Sequence, residues 1–230
     1  MQHSFVVCVA TEQHVPLAEQ ICDEMAASAK ARGTGIAKRS PDYIAQKMTE
    51  GKAVIALTKS GVWAGFCYIE TWGHGEYVAN SGLIVAPEFR KSGLAKRIKE
   101  KIFDLSRSKY PEAKIFGLTT GLAVMKINSE LGYEPVTYSE LTTDDAFWKG
   151  CTSCINYEIL ISKERKNCLC TAMLYEPSAE KVQPKKTWEF ARKSKLYERF
   201  MHIKQLSFIT SFREKKKHTY ERKEKNSTGL

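Results

Sequence analysis

The chain has 230 residues, 43% of them apolar, which suffices for one substantial core, and it lacks the run of about 18 apolar residues that a membrane-spanning helix needs. Its formal charge of +10 is unevenly placed: residues 181–225 hold 15 Lys and Arg against 5 Asp and Glu, so this tail carries the whole excess and the body is neutral. An inference to nucleic acid from the overall charge is thereby an inference about the tail only. The apolar stretch at residues 5–10 is too short for the core of an export signal. A cytoplasmic location with no membrane partner is therefore expected, and the seven cysteines read as thiols or metal ligands in preference to disulfides.

Residues 4–10 (SFVVCVA) predict a β-branched strand. Pro16 stands where helices accept proline, and Leu17, Ile21 and Met25 with Ala18, Cys22 and Ala29 form an apolar stripe that Gly33 ends. Ser40-Pro41 predicts the cap of a second helix bearing Tyr43, Ile44 and Met48, stopped by Gly51. Residues 52–59 and 62–72 alternate as strands around the hairpin signal Ser60-Gly61 and should pair antiparallel. Gly73-His74-Gly75 breaks the second, and residues 77–86 predict another strand. Further on come a strand at 115–119, a helix at 122–131 stopped by Gly132, a strand at 133–138, a short helix at 144–150 and a strand at 168–175 that could complete the sheet. Leu196, Phe200, Ile203 and Leu206 recur at helical steps among basic residues, predicting an amphipathic helix over 186–213. Two regions follow: a domain at 1–177 with a cysteine-bearing segment at 151–170, and a basic helix with a polar tail at 178–230.

The chain is organised around residues 80–102, NSGLIVAPEFRKSGLAKRIKEKI. Leu83, Ile84 and Val85 end a strand before Pro87, and Leu94, Ile98, Ile102 and Leu105 start a helix near Ser92. Between them lies Arg90-Lys91-Ser92-Gly93-Leu94-Ala95. A helix start leaves about four N–H groups unpaired and carries partial positive charge, so a polyphosphate can dock there. Gly93 and Ala95 admit phosphate oxygens close to the backbone, while Arg90 and Lys91 add full charges. The same residues also read as a plain turn before a surface helix.

The pattern R-x-x-G-x-A after a strand ending LIVAP resembles the acyl-coenzyme A signature of the GNAT superfamily of N-acetyltransferases. It is neither a Walker motif, since no G-K-[ST] follows, nor a Rossmann fingerprint. The resemblance covers about residues 4–138. It implies an α+β (mixed α/β) architecture with a central mixed, mostly antiparallel sheet flanked by helices. It also implies acetyl-CoA, or succinyl-CoA, as co-substrate, its pyrophosphate on the N–H groups of Lys91, Ser92, Gly93, Leu94 and Ala95. Its pantetheine arm would lie beside Leu83, Ile84 and Val85, and an N–H near Val85 would hold the oxyanion. Where GNAT proteins often carry a tyrosine acid, this chain has Asn128, which cannot usefully donate a proton; where some carry a glutamate base, it has Ala79.

Glu70 and His74 remain as proton acceptors, each with a plainer reading as a solvated edge carboxylate and a loop residue. At pH 7 about one in ten amines of pKa near 8 is neutral but only about one in 2,500 at pKa 10.4, so an enzyme without a dedicated base suits an α-amine better than an ε-amine. Residues 114–136 (KIFGLTTGLAVMKINSELGYEPV), with FWKGC, the CxxC and RKNCLCTAMLYEP, also look like bacterial GNAT proteins assigned to arginine biosynthesis. That resemblance implies glutamate as acceptor, with Thr119, Thr120, Lys126 or the basic loop residues as carboxylate partners and none of them singled out.

Cys151, Cys154, Cys168 and Cys170 bring four thiols within 20 residues. Four thiolates suit tetrahedral zinc, and two cysteines two apart on a strand face one way. Buried unligated thiols fit the pattern better, and a redox pair is a third reading. The tail helix has two readings: its stripe docks on the domain or on a second subunit of a homodimer, or Trp188, Tyr197 and Phe200 among the basic residues hold nucleic acid or an acidic partner while the body senses coenzyme A.

Overall fold

In a computed structural model of the protein, residues 4–33 and 38–180 are described. The helix expected over 186–213, and with it the basic tail, lies outside them. Seven strands form one sheet in the order β1-β2-β3-β4-β5-β7-β6: β1 (Phe5–Val9), β2 (Ala53–Thr58), β3 (Trp63–Trp72), β4 (Tyr77–Val85), β5 (Lys114–Thr119), β6 (Glu134–Val136) and β7 (Thr171–Tyr175). All neighbours run antiparallel except β4 and β5, which are parallel. The expected mixed, mostly antiparallel sheet is what forms.

Helices α1 (Ala18–Arg32) and α2 (Pro41–Thr49) lie against one face and α3 (Leu94–Lys109) against the other; α4 (Leu122–Glu130) follows β5. The two faces are read from alternate residues of β3. A Cβ on Gly65 would stand 2.6 Å from Ile98 Cδ1 of α3, while Tyr68, three residues on, packs toward Met25 of α1. Ser40 caps α2 as its sequence predicts, its Oγ accepting from the Tyr43 N–H at 3.2 Å.

Three expectations change. The strand expected over 133–138 is a three-residue edge strand, because Tyr133 turns into the core and Tyr138 enters a 3-10 turn. The last strand does join the sheet, and its place is between β5 and β6 instead of after β6 in chain order. It also begins at Thr171, so Cys168 and Cys170 lie ahead of it and strand alternation cannot align them. Between β6 and β7, α5 (Asp145–Lys149) and α6 (Tyr157–Ser162) carry Trp148 and Leu160 into a second apolar cluster over Phe116, Ala172 and Leu174. The Trp148 Nε1–H donates to the Thr142 carbonyl at 2.9 Å, which satisfies its one polar atom.

A bulge interrupts β4. Phe66 pairs with Ile84 but Tyr68 with Ser81, so two residues of β4, Gly82 and Leu83, oppose Cys67 alone. Gly82 has φ +64°, and a Cβ there would overlap the Tyr68 ring and come within 2.8 Å of Met25 Cε. Backbone and packing both demand glycine. Gly82→Ala is expected to destabilise the fold by about 2–4 kcal/mol, the sum of left-handed strain and overpacking. A chemical denaturation midpoint indistinguishable from wild type would contradict this.

Candidate active site

After Val85 the chain makes a 3-10 turn (Pro87–Phe89) and then alternates hand: Arg90 is extended, Lys91 has φ +62°, and Gly93, the N-cap of α3, has φ +81°. The Ser92 hydroxyl closes this loop by donating to the Phe89 carbonyl at 2.6 Å. The N–H groups of Lys91, Ser92, Gly93, Leu94 and Ala95 find no hydrogen-bond partner among the described residues; Lys96 is the first to bond, to the Gly93 carbonyl. A run of unpaired N–H groups at the start of a sixteen-residue helix is an anion cradle. No atom of a described residue stands within 4 Å of where a Gly93 Cβ would be, so among these residues the cradle is open.

Arg90 is placed differently from the free charge its sequence position suggests. Its Nε donates to the Val85 carbonyl at 3.1 Å, and its Nη2 to Glu24 at 2.8 Å and Ser28 at 2.7 Å, both on α1. The guanidinium ties the loop to α1 and to the end of β4, leaving Lys91, exposed and without an ion pair to a described residue, as the cation at the cradle. Arg90→Ala is expected to loosen the loop and weaken anion binding about tenfold while moving Tm little, since an exposed pair contributes about 0–1 kcal/mol. Unchanged affinity for a polyphosphate ligand would contradict this.

Strands β4 and β5 pair over Tyr77–Ala79 and Lys114–Phe116 and then separate. Beyond that point β5 continues on β7 and β4 on β3, so the two diverge as a V. The Ala86 N–H bonds to Ala64 on the β3 side. Because successive N–H groups along a strand point to opposite edges, the Val85 N–H faces into the V. Leu83 is half-buried, whereas Ile84 and Leu94 are core residues that hold strand and helix in register.

At the vertex, Asn80 donates through Nδ2 to Ser106 Oγ at 2.8 Å and accepts from the Tyr133 hydroxyl at 3.0 Å. Asn128 of α4 is buried beside Gly117 of β5; its Nδ2 bonds to the Met173 sulfur at 3.7 Å, and its Oδ1 has no partner among the described residues. A buried acceptor of this kind has hydrogen-bonding capacity left for a donor.

On the α1/α2 face, Glu70 is buried, not the solvated edge carboxylate that one reading of the sequence gave. Its Oε1 accepts from Arg39 Nη2 at 2.9 Å and from the Tyr43 hydroxyl at 2.5 Å. Arg39 stacks 5.2 Å and Lys47 4.8 Å from the Tyr43 ring centre. Burial, then the Glu70 charge, push the Tyr43 phenol up, so it stays a donor. Burial works against the Arg39 charge, but Tyr68 and Glu70 outweigh it and hold the guanidinium above its usual range. Lys47 also feels Glu50, which Lys52 pairs at 2.8 Å, so three cations stand here against two carboxylates. Arg39 and Tyr43 were missed from the sequence: Tyr43 reads as part of an apolar stripe and Arg39 as a loop residue, and no spacing links either to Glu70.

The other candidates stand apart from this centre. His74 is exposed on the β3–β4 turn with φ +56°. Thr119 accepts the Gly121 N–H through its hydroxyl, and Thr120 and Lys126 are exposed. The four cysteines of the C-terminal segment are free thiols. Burial pushes Cys151 up to about 11 and Cys170 up to about 12, which keeps both neutral. Cys154 accepts the Asn156 N–H, and Cys168 donates to the Asn156 carbonyl. Among the described residues no group of three or more His, Cys, Asp or Glu is arranged to hold a metal.

No protein-family model and no curated protein matches the chain. Solved structures do. N-acetylglutamate synthase from Neisseria gonorrhoeae, in complex with coenzyme A and N-acetyl-glutamate, aligns over 76% of this chain at 15% identity and a TM-score of 0.53. This chain spans 36% of that protein, about a third of its length. A GNAT-family acetyltransferase from Staphylococcus aureus aligns over 76% of this chain and 99% of its own at 9% identity and a TM-score of 0.52. Diaminobutyrate acetyltransferase EctA from Paenibacillus lautus, in complex with L-2,4-diaminobutyric acid and coenzyme A, aligns over 76% and 96% at 10% identity and a TM-score of 0.51. At these identities the likeness shows the fold, and the fold is that of the GNAT acetyltransferases.

Proposed function

We propose that the protein is an acyl-coenzyme A-dependent N-acyltransferase acting on the α-amine of a small amino acid, with glutamate as the leading acceptor. The observation that carries this reading is the V between β4 and β5, which joins an unpaired N–H cradle at one end to a buried carboxylate on the far face at the other. When bound, an acyl-coenzyme A supplies a thioester carbonyl activated toward attack by a neutral amine. The cradle N–H groups and Lys91 would hold its phosphates, and the open edge of β4 would pair with its amide-bearing arm. The Val85 N–H would bond the carbonyl oxygen as charge develops there. Glu70, with Oε2 accepting no hydrogen bond from a described residue, would take the amine proton directly or through water.

Arg39, Lys47 and Lys52 exceed Glu50 and Glu70 by one positive charge around Tyr43, which favours an acceptor that itself carries a carboxylate, as a free amino acid does and a protein lysine does not. The likeness to a glutamate-acylating and a diaminobutyrate-acylating enzyme supports the same class. Among the described residues no helix is long and apolar enough to cross a membrane. The test is release of free coenzyme A thiol from acetyl-CoA and from succinyl-CoA in the presence of single amino acids. Stimulation by glutamate, with the faster donor naming the acyl group, is the expected result; release indifferent to every amino acid would overturn the acceptor class.

A further inference from the structure

Lys99 stands where an amphipathic helix carries its apolar residues, one turn from Ala95 and Ile102, and is 2% exposed. Its Nζ lies 5.2 Å from the centre of the Tyr133 ring and makes no hydrogen bond or ion pair to a described residue. The titratable groups that face it are Cys67 of β3 and the Tyr133 phenol, with Tyr175 of β7 behind that ring and Arg107 over Tyr175; no carboxylate is among them. Burial accordingly pulls the ammonium below its ordinary range. A buried cation without a counter-charge is costly, and such groups cluster where a charge must be met during reaction.

Its level along the V is fixed by two contacts of the same helix. Ile98 packs at Gly65, the partner of Val85, and Ser106 bonds Asn80 at the vertex, so along α3 Lys99 lies between these two levels, its Nζ against Cys67 and the Tyr133 ring, at the height where β4 has left β5. We propose that Lys99 is the acid of the transfer, giving the Nζ proton to the leaving sulfur. This rests on the acyltransferase reading above. The acceptor nitrogen forms the C–N bond, the C–S electron pair leaves on sulfur, and the Lys99 proton makes the thiol. The amine's own proton goes to Glu70, and solvent returns one to Lys99. Asn128, which cannot donate usefully, then needs no acidic role.

The test reads the thiol itself. Coenzyme A labelled with 13C at the sulfur-bearing carbon is titrated while bound to the wild-type protein and to Lys99→Met. In the wild type the bound thiol should ionise about one pH unit below free coenzyme A, because a cation beside it favours thiolate; in Lys99→Met it should return to the free value or rise above it. Lys99→Met should fold with an equal or higher Tm, having lost a buried charge, and kcat should lose its alkaline limb and fall about 100-fold. Equal thiol midpoints in both proteins would overturn the assignment while leaving the acyltransferase intact. Absence of coenzyme A binding by either would remove both readings together.

Discussion

Gly93→Glu is expected to raise the Kd for coenzyme A at least 100-fold and to abolish acyl transfer. Two effects add. At φ +81° a side chain costs about 1–2 kcal/mol of backbone strain, and the surrounding space is open, so the glutamate carboxylate is free to stand at the N–H groups that the phosphates require. A carboxylate against a pyrophosphate over a few ångströms adds about 1–4 kcal/mol at the dielectric of a protein surface, and about 2.7 kcal/mol in total already gives 100-fold. Gly93→Ala separates the terms: it carries the strain without the charge and should weaken binding about tenfold. Equal affinities for wild type and Gly93→Glu, measured by calorimetry, would mean that the helix start is only a turn.

Glu70→Gln should lower kcat about 100- to 1000-fold, the usual contribution of a positioned base, with a smaller change in KM. The amide oxygen can still accept from Tyr43, so geometry is retained, but it leaves the Arg39 guanidinium without its counter-charge in a half-buried site. A loss of about 1–3 kcal/mol in stability should accompany the loss of rate. Pairing the substitution with Arg39→Met should restore much of the stability and none of the activity. If Glu70→Gln kept its rate, the carboxylate would be a structural anchor for Arg39 and Tyr43, and solvent would be the proton acceptor.

The cradle was legible in the sequence because its chemistry is local: a proline ends a strand, a glycine opens a helix and the apolar period changes between them. The same is true of β1 to β5 and their order. What stayed hidden depends on partners distant in sequence. Glu70 meets Arg39 and Tyr43 across 31 and 27 residues, and no periodicity signals that meeting. Arg90 reads as a free charge until α1 is seen to bring Glu24 and Ser28 beside it. Lys99 reads as one more basic residue on a helix surface, although its spacing from Ile102 and Ser106 places it on the stripe that packs. The shared face expected of Cys168 and Cys170 failed for a related reason: two residues apart implies one face only on a strand, and β7 starts after both.

Offering the protein acetyl-CoA and succinyl-CoA together with an equimolar mixture of glutamate, ornithine and a lysine-bearing peptide, and mapping the acylated nitrogen by mass spectrometry and NMR, tests the central claim most directly. The account predicts a single product carrying the acyl group on the α-nitrogen of glutamate or another small free amino acid, formed faster than the thioester hydrolyses. Acylation of the peptide lysine, or hydrolysis alone while coenzyme A still binds, would contradict it.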